Sequence, residues 1–231
     1  MKYLLLFLLT LPLLAEEINT LTPQEKADGW QFLFNGKDLS NFRQFGSDAN
    51  PGPGWKIEAG ILRKIGRIPG GQIITKDKYG DFTLSWEWKI SPKGNNGIKY
   101  LVVEDRANAP GPEYQILDDT GHPDGKIGPH RQTACLYDIL PPAENKPLNP
   151  IGEWNHSKIV VKGKSVEHWL NGIRVLAYEL ESNELKAAIA KSKFANAKDF
   201  EKKVNGHIML TDHIDECSFR NMKILPGTAE R

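Results

Sequence analysis

Turn signals recur every eight to twelve residues along most of this chain, and they constrain its fold more than any other feature. They include Asn35 and Gly36, the Pro/Gly run from Asn50 to Gly54, Gly94 to Gly97, Gly121 to Gly128, the Pro-rich stretch Pro141 to Pro150, and Asn171 and Gly172. Such residues hold the left-handed or fixed-φ conformations that reverse a backbone. Between them lie short stretches with apolar residues at every second position, which a pleated strand sends to one face. The longest runs from Asp81 to Ile90. Leu84, Trp86, Trp88 and Ile90 share one side of it, and Thr83, Ser85, Glu87 and Lys89 the other. The two tryptophans sit on the apolar side and are predicted to fill a core. Further strands are expected at Gln31–Phe34, Trp55–Ile57 with Gly60–Lys64 as a hairpin, Gln72–Thr75, Ile98–Val103, within Gly111–Asp119, and at Thr133–Ile139. The last group covers Ser157–Lys162, Ser165–Leu170, Ile173–Leu180, Gly206–Leu210 and Ser218–Leu225. Many short strands with regular turns predict an all-β sandwich or barrel. One stretch departs from the pattern: Asn183–Phe200 opens with helix formers, with Leu185, Ile189 and Ser192 along one face, and reads as a short helical insertion.

The ends of the chain read differently. Lys2, the apolar run Leu4–Leu14 and Ala15 form the pattern of a secretory signal peptide cleaved near Ala15, shorter than the roughly 20 residues of a membrane span. The expected division is a signal peptide over 1–15, a polar linker over 16–28, one domain over 29–226 and a tail over 227–231. Within the linker, Thr22 and Glu25 have capping-box spacing for a helical turn. The protein is expected in the periplasm or outside the cell. A net charge of +1 with acids and bases interspersed offers no electrostatic case for nucleic acid or an anionic membrane. Cys135 and Cys217 are the two cysteines, which in an exported protein could pair but form neither a disulfide framework nor, without nearby His, a zinc site.

The stretch Gly111–Asp119 carries the first hint of chemistry. After a Gly-Pro turn, alternation puts Glu113, Gln115 and Leu117 on one face and Tyr114 and Ile116 on the other. A carboxylate and an amide side by side on an apolar strand mark either a solvent face or the floor of a groove. Lys99, by the same alternation, lies opposite in sense to Ile98 and Tyr100. His213 follows a strand end, where loops carry function. Asp118 and Asp119 fit a turn held by side-chain hydrogen bonds, or a hard-cation site, although the ordered Asp/Asn loop of a calcium site is missing. His122, His130, His156 and His207 read as loop or surface residues.

Several segments in series resemble one family. They are Gly29–Leu39, Asn95–Tyr100, Gly111–Asp119, Leu136–Asp138, Gly152–Asn155, His168–Gly172, Thr211–His213 and Phe219–Asn221. Their order and spacing are similar to the exported concanavalin A-like jelly-roll domains that act as 3-keto-disaccharide hydrolases, or 3-keto-glucoside lyase-hydratases. The chain departs from that pattern at Asn96, Cys135, Thr211 and Ile214. The resemblance implies a jelly-roll sandwich of two curved antiparallel sheets. It also implies cleavage of 3-keto-glycosides: a ketone at C3 acidifies the C2 proton, a base removes it, the C1 substituent leaves, and water adds to the product. Such a site needs a base, a cation or donor for the enolate oxygen, and an acid. The resemblance points to Glu113 and His213 as base or acid and to Lys99 and Arg220 at the oxyanion. It points to Gln115, Tyr137 and His168 at sugar hydroxyls. Two other readings share the scaffold: an ordinary glycoside hydrolase with paired carboxylates, or a non-catalytic carbohydrate-binding module. No dinucleotide motif is present, a divalent cation is left open, and a separate oxidoreductase would supply the keto sugar.

Overall fold

The computed structural model describes residues 17–227 apart from Ala107. The expected signal peptide and most of the C-terminal tail lie outside the described residues. In chain order the elements are α1 (Pro23–Asp28), β1 (Gln31–Phe32), β2 (Phe42–Gln44), β3 (Trp55–Glu58), β4 (Ile61–Lys64), β5 (Ile73–Thr75), β6 (Phe82–Ile90), β7 (Asn95–Val102) and β8 (Glu113–Leu117). There follow β9 (Asn155–Lys162), β10 (Ser165–Leu170), β11 (Ile173–Glu179), α2 (Asn183–Ile189), β12 (His207–Leu210) and β13 (Cys217–Pro226). The strands form two sheets, ordered β11-β10-β9-β6-β13-β4-β3, with β1 also on β13, and β2-β5-β12-β7-β8. Their pairings are antiparallel, and the two layers make a concanavalin A-like sandwich.

The alternation read from the sequence decides which faces meet. Trp86 and Trp88 of β6 are fully buried and pack with Ile159, Phe219 and Ile224 of their own sheet against Ile98, Tyr114, Ile116 and Leu210 of the other. Trp86 meets Tyr114 edge to face, with ring centroids 5.0 Å apart. The Tyr114 hydroxyl is 2.8 Å from Ser157 Oγ and donates to the Trp169 carbonyl, which ties the layers together and fixes Tyr114 inward. Each buried indole removes roughly 200 Å² from water, on the order of 5 kcal/mol of transfer free energy.

His168 belongs to this core and not to a sugar-binding groove. Its ring is fully buried, with Nε2 2.8 Å from the Tyr100 hydroxyl and Nδ1 3.0 Å from the Ala134 carbonyl. Burial pushes its pKa down to about 4. The unfolded chain binds that proton near pH 6.5, so the stability contributed by neutral His168 is complete above about pH 6.5 and lost as pH falls through about 4. We expect roughly 3 kcal/mol of pH-dependent stability from this residue, read as the difference between urea unfolding at pH 7 and pH 4. A His168→Asn variant should lose most of that slope; an unchanged slope would exclude His168 as its source.

Other expectations are revised. Thr133–Ile139 is not a strand. Ala134 and Asp138 adopt left-handed φ values of 68° and 61°, which break the extension. The segment still covers the free edge of β8: the Ala134 amide donates to the Gln115 carbonyl and the Tyr137 amide to the Glu113 carbonyl. His207 is buried, its Nδ1 2.7 Å from the Thr75 carbonyl, and is no surface histidine. Cys135 and Cys217 are separate buried thiols. The helix of the insertion ends at Ile189, with Leu185 and Ile189 buried, and turns complete the excursion. Ahead of α1, Asn19 is built into the sandwich. Its amide donates to Asn221 Oδ1 (2.6 Å), and the Asn221 amide donates back to Asn19 Oδ1 (2.9 Å).

Candidate active site

The face of the five-stranded sheet turned away from the core carries the polar cluster. Lys99 and Glu113 are direct partners in the β7–β8 register, so the pleat puts both on this face. Their Nζ and Oε2 atoms lie 3.7 Å apart. The Glu113 side chain is only 8% exposed, so its charge acts in a partly desolvated setting. The carboxylate rests against the backbone of Gly97. A Cβ on Gly97 would stand 2.2 Å from Glu113 Oε1, so glycine is required by close approach rather than by backbone conformation.

Along the same face lie two amides. Gln115 is opposite Gly97, and Asn95 is opposite Leu117. Gln115 Oε1 and Asn95 Oδ1 are buried and have no hydrogen-bond partner among the described residues. Buried acceptors left unpaired cost about 1–3 kcal/mol each. Towards β5, Ile74, Val102 and Met209 form a small buried apolar cluster with Phe45 packed against it.

His213 reaches the cluster from the loop after β12. The loop is pinned on both sides. Asp212 accepts from the Gly70 and Gly71 amides and pairs with Lys64 Nζ at 2.8 Å, and Asp215 accepts from the Asn95 amide. Burial lowers the His213 pKa, against an opposing pull from the Glu113 charge, so the imidazole is neutral near pH 7.

Tyr137, Arg131, Asp124, Asp138 and Lys193 complete the charged surroundings. The Tyr137 hydroxyl donates to Asp124 Oδ2 (2.6 Å), and burial raises its pKa. Arg131 joins Asp124 and Asp138, with Nε 2.5 Å from Asp138 Oδ1. Lys193 comes from the helical insertion. Its Nζ lies 4.0 Å from the Tyr137 ring centroid. Burial lowers its pKa, while Glu113 and Asp138 pull it up. Sequence reading did not single out Lys193, Asn95, Arg131, Asp124 or Asp138, although Asn95 and Asp138 lie in segments that resemble the family.

Arg220 does not join them. It lies on β13 in the other sheet, where Nε donates to Glu87 Oε2 (2.7 Å) and the guanidinium stacks 4.4 Å from the Trp154 ring. Asp118 is a loop anchor, accepting from the Lys93, Thr120 and Gly121 amides. Asp119 accepts from the Thr133 amide and pairs with Lys146. Among the described residues, no three His, Cys, Asp or Glu side chains converge as a metal site.

Residues 29–225 match the family described as the 3-keto-alpha-glucoside-1,2-lyase-like domain. A 3-keto-disaccharide hydrolase of Bacteroides thetaiotaomicron is 35% identical over 91% of this chain and 82% of its own length. A solved structure from Parabacteroides distasonis, described as a candidate glycosyl hydrolase, superposes with a TM-score of 0.82. It is 34% identical and covers 92% of this chain and 100% of its own. A second structure from that organism shares the fold at a TM-score of 0.67 and 24% identity, over 86% of this chain and 99% of its own. The polar face of β7 and β8 is therefore the candidate active site of a chain that belongs to the 3-keto-alpha-glucoside-1,2-lyase-like family.

Proposed function

We propose that the protein cleaves 3-keto-glycosides by elimination followed by hydration, and that Glu113 removes the C2 proton. The observation that carries this reading is a single desolvated carboxylate, held against Gly97 and facing the Lys99 ammonium. The C2–H electrons form an enolate with the C3 carbonyl, and the C1–O bond then breaks to leave a C1=C2 double bond. Water adds its oxygen to C1 and a proton returns to C2, so the net change is hydrolysis. Lys99 supplies positive charge beside the enolate oxygen, an electrostatic role of the kind worth several kcal/mol in water-excluded sites. Gln115 and Asn95 accept from sugar hydroxyls. Neutral His213 accepts a hydroxyl proton or orients the incoming water.

The acids around Glu113 support elimination over ordinary glycoside hydrolysis. Two free carboxylates flanking the bond are needed for that reaction. Asp118 is consumed by three backbone amides, and Asp124 and Asp138 are held by Arg131. A binding module is disfavoured because the face of β7 and β8 gathers ionisable groups, Lys99, Glu113 and His213. The proposal includes export on the N-terminal leader and a separate oxidoreductase that makes the ketone.

The test is incubation of the protein with a 3-keto-glucoside, 3-keto-trehalose and the unoxidised sugars. Cleavage confined to the keto sugars is expected. Cleavage of the unoxidised sugars alone would assign an ordinary glycosidase. Tight binding of a plain glycan without any cleavage would assign a binding module.

A further inference from the structure

We propose that Lys193, carried in by the insertion after β11, is the proton donor to the leaving glycosidic oxygen. The inference rests on the elimination reading of the site. A sugar alkoxide is a poor leaving group, so C1–O cleavage needs an acid as well as the base at C2.

The neighbouring groups narrow the choice. Lys99 is engaged with Glu113 at 3.7 Å. His213 is neutral, and a neutral imidazole is a feeble acid. The Tyr137 hydroxyl already donates to Asp124. Arg131 is held by Asp124 and Asp138, and a guanidinium does not release its proton in proteins. Lys193 has an ammonium whose side-chain contacts are the faces of Tyr137, at 4.0 Å, and Phe194, at 5.0 Å. Ring faces hold a cation without taking its proton. Burial also lowers its pKa, against the pull of Glu113 and Asp138 and with the push of Lys99 and Arg131, which makes it a stronger acid than a surface lysine.

The insertion is built to hold this lysine. Its helix is anchored by buried Leu185 and Ile189, and Phe194 stacks on Phe200 with ring centroids 4.7 Å apart. The Lys193 amide donates to Asp138 Oδ2 (2.7 Å), and Asp138 Oδ1 is fixed by Arg131. Asp138 thus joins the insertion to the segment whose next residue back, Tyr137, pairs with the Glu113 backbone.

The proton balance closes. Glu113 takes the C2 proton, and the C2–H electron pair ends in the C1=C2 bond. Lys193 gives one proton to the departing oxygen, which leaves as a neutral alcohol. In hydration the Lys193 amine takes a proton from water as its oxygen bonds to C1. Glu113 returns its proton to C2, and both residues are reset.

Lys193→Met keeps the apolar stem over Tyr137 and removes the acid, and Lys193→Arg keeps the charge without a transferable proton. Both are assayed on a 3-keto-disaccharide and on a 4-nitrophenyl 3-keto-glucoside, whose phenolate leaves without protonation. Solvent deuterium exchange at C2 is followed in parallel. Cleavage of the disaccharide should fall at least about a hundredfold in both variants, the low end for losing a general acid. The aryl substrate should lose at least ten times less, and C2 exchange should persist. Equal losses on both substrates, loss of exchange, or near-normal disaccharide turnover would overturn the assignment. If the unaltered protein cleaves neither keto substrate, the elimination reading fails, and Lys193 fails with it.

Discussion

Replacing Glu113 with Gln should reduce turnover of a 3-keto-glycoside by at least about a hundredfold and abolish deuterium exchange at C2. Loss of a general base costs about 10²–10⁴ in rate. The amide has nearly the shape of the carboxylate and suits the same place against Gly97, but it cannot accept the proton. The exchange readout separates this variant from Lys193→Met, which should keep exchange and lose cleavage. Charge makes a second readout. Glu113 pulls the pKa values of Lys193 and His213 upward, against the burial that lowers both. With that charge gone, both should titrate lower still, which NMR of the labelled side chains would show. Near-normal turnover in Glu113→Gln would remove Glu113 from the mechanism. In that event the base would be His213, whose neutral imidazole already has the right protonation state.

The sheets were legible because strand alternation is a local code. Trp86 and Trp88 announce a buried face by sharing it with Leu84 and Ile90, and no distant residue is needed to read that. The same code placed Lys99, Glu113 and Gln115 on one face, since a one-residue slip would have turned all three into the apolar core between the sheets. Applied to β10 it also turns His168 inward with Val166 and Leu170, where Tyr100 from the opposite sheet and the Ala134 carbonyl satisfy it; the resemblance, not the alternation, puts His168 at a sugar. Arg220 sits in a segment that resembles the family, but the strand order β6-β13-β4 puts it on the sheet without the site. Lys193 was invisible for a different reason. Its position depends on where an irregular excursion docks, and that is fixed by Asp138, Arg131 and the ring of Tyr137, none of which is near it in sequence. Strand periodicity therefore located Glu113 and Lys99, while the groups delivered by loops needed the tertiary structure.

Gly97→Ala tests the same carboxylate from the opposite strand, without altering any ionisable group. The added Cβ would lie 2.2 Å from Glu113 Oε1 and 3.0 Å from both Cδ and Cγ. Something must move, and the backbone on the Gly97 side is held. Its carbonyl accepts from the Thr211 amide and hydroxyl, and its amide donates to Asn96 Oδ1. The β7–β8 register sets Gly97 against Gln115 and Lys99 against Glu113, so retreat of β7 would disturb both pairs. The carboxylate is therefore the part that swings, and its place against Gly97 is lost. Displacement of about 1 Å at a reacting group costs about a hundredfold, so turnover should fall by that order. Overpacking should also destabilise the protein by about 1–3 kcal/mol. Shortening Glu113 to Ala removes the clash, so the stability cost of Gly97→Ala should largely vanish in the Glu113→Ala background. That non-additivity is the mark of direct contact. Additive stability effects, or full activity in Gly97→Ala, would mean that Glu113 has another rotamer open to it and that Gly97 does not set its position.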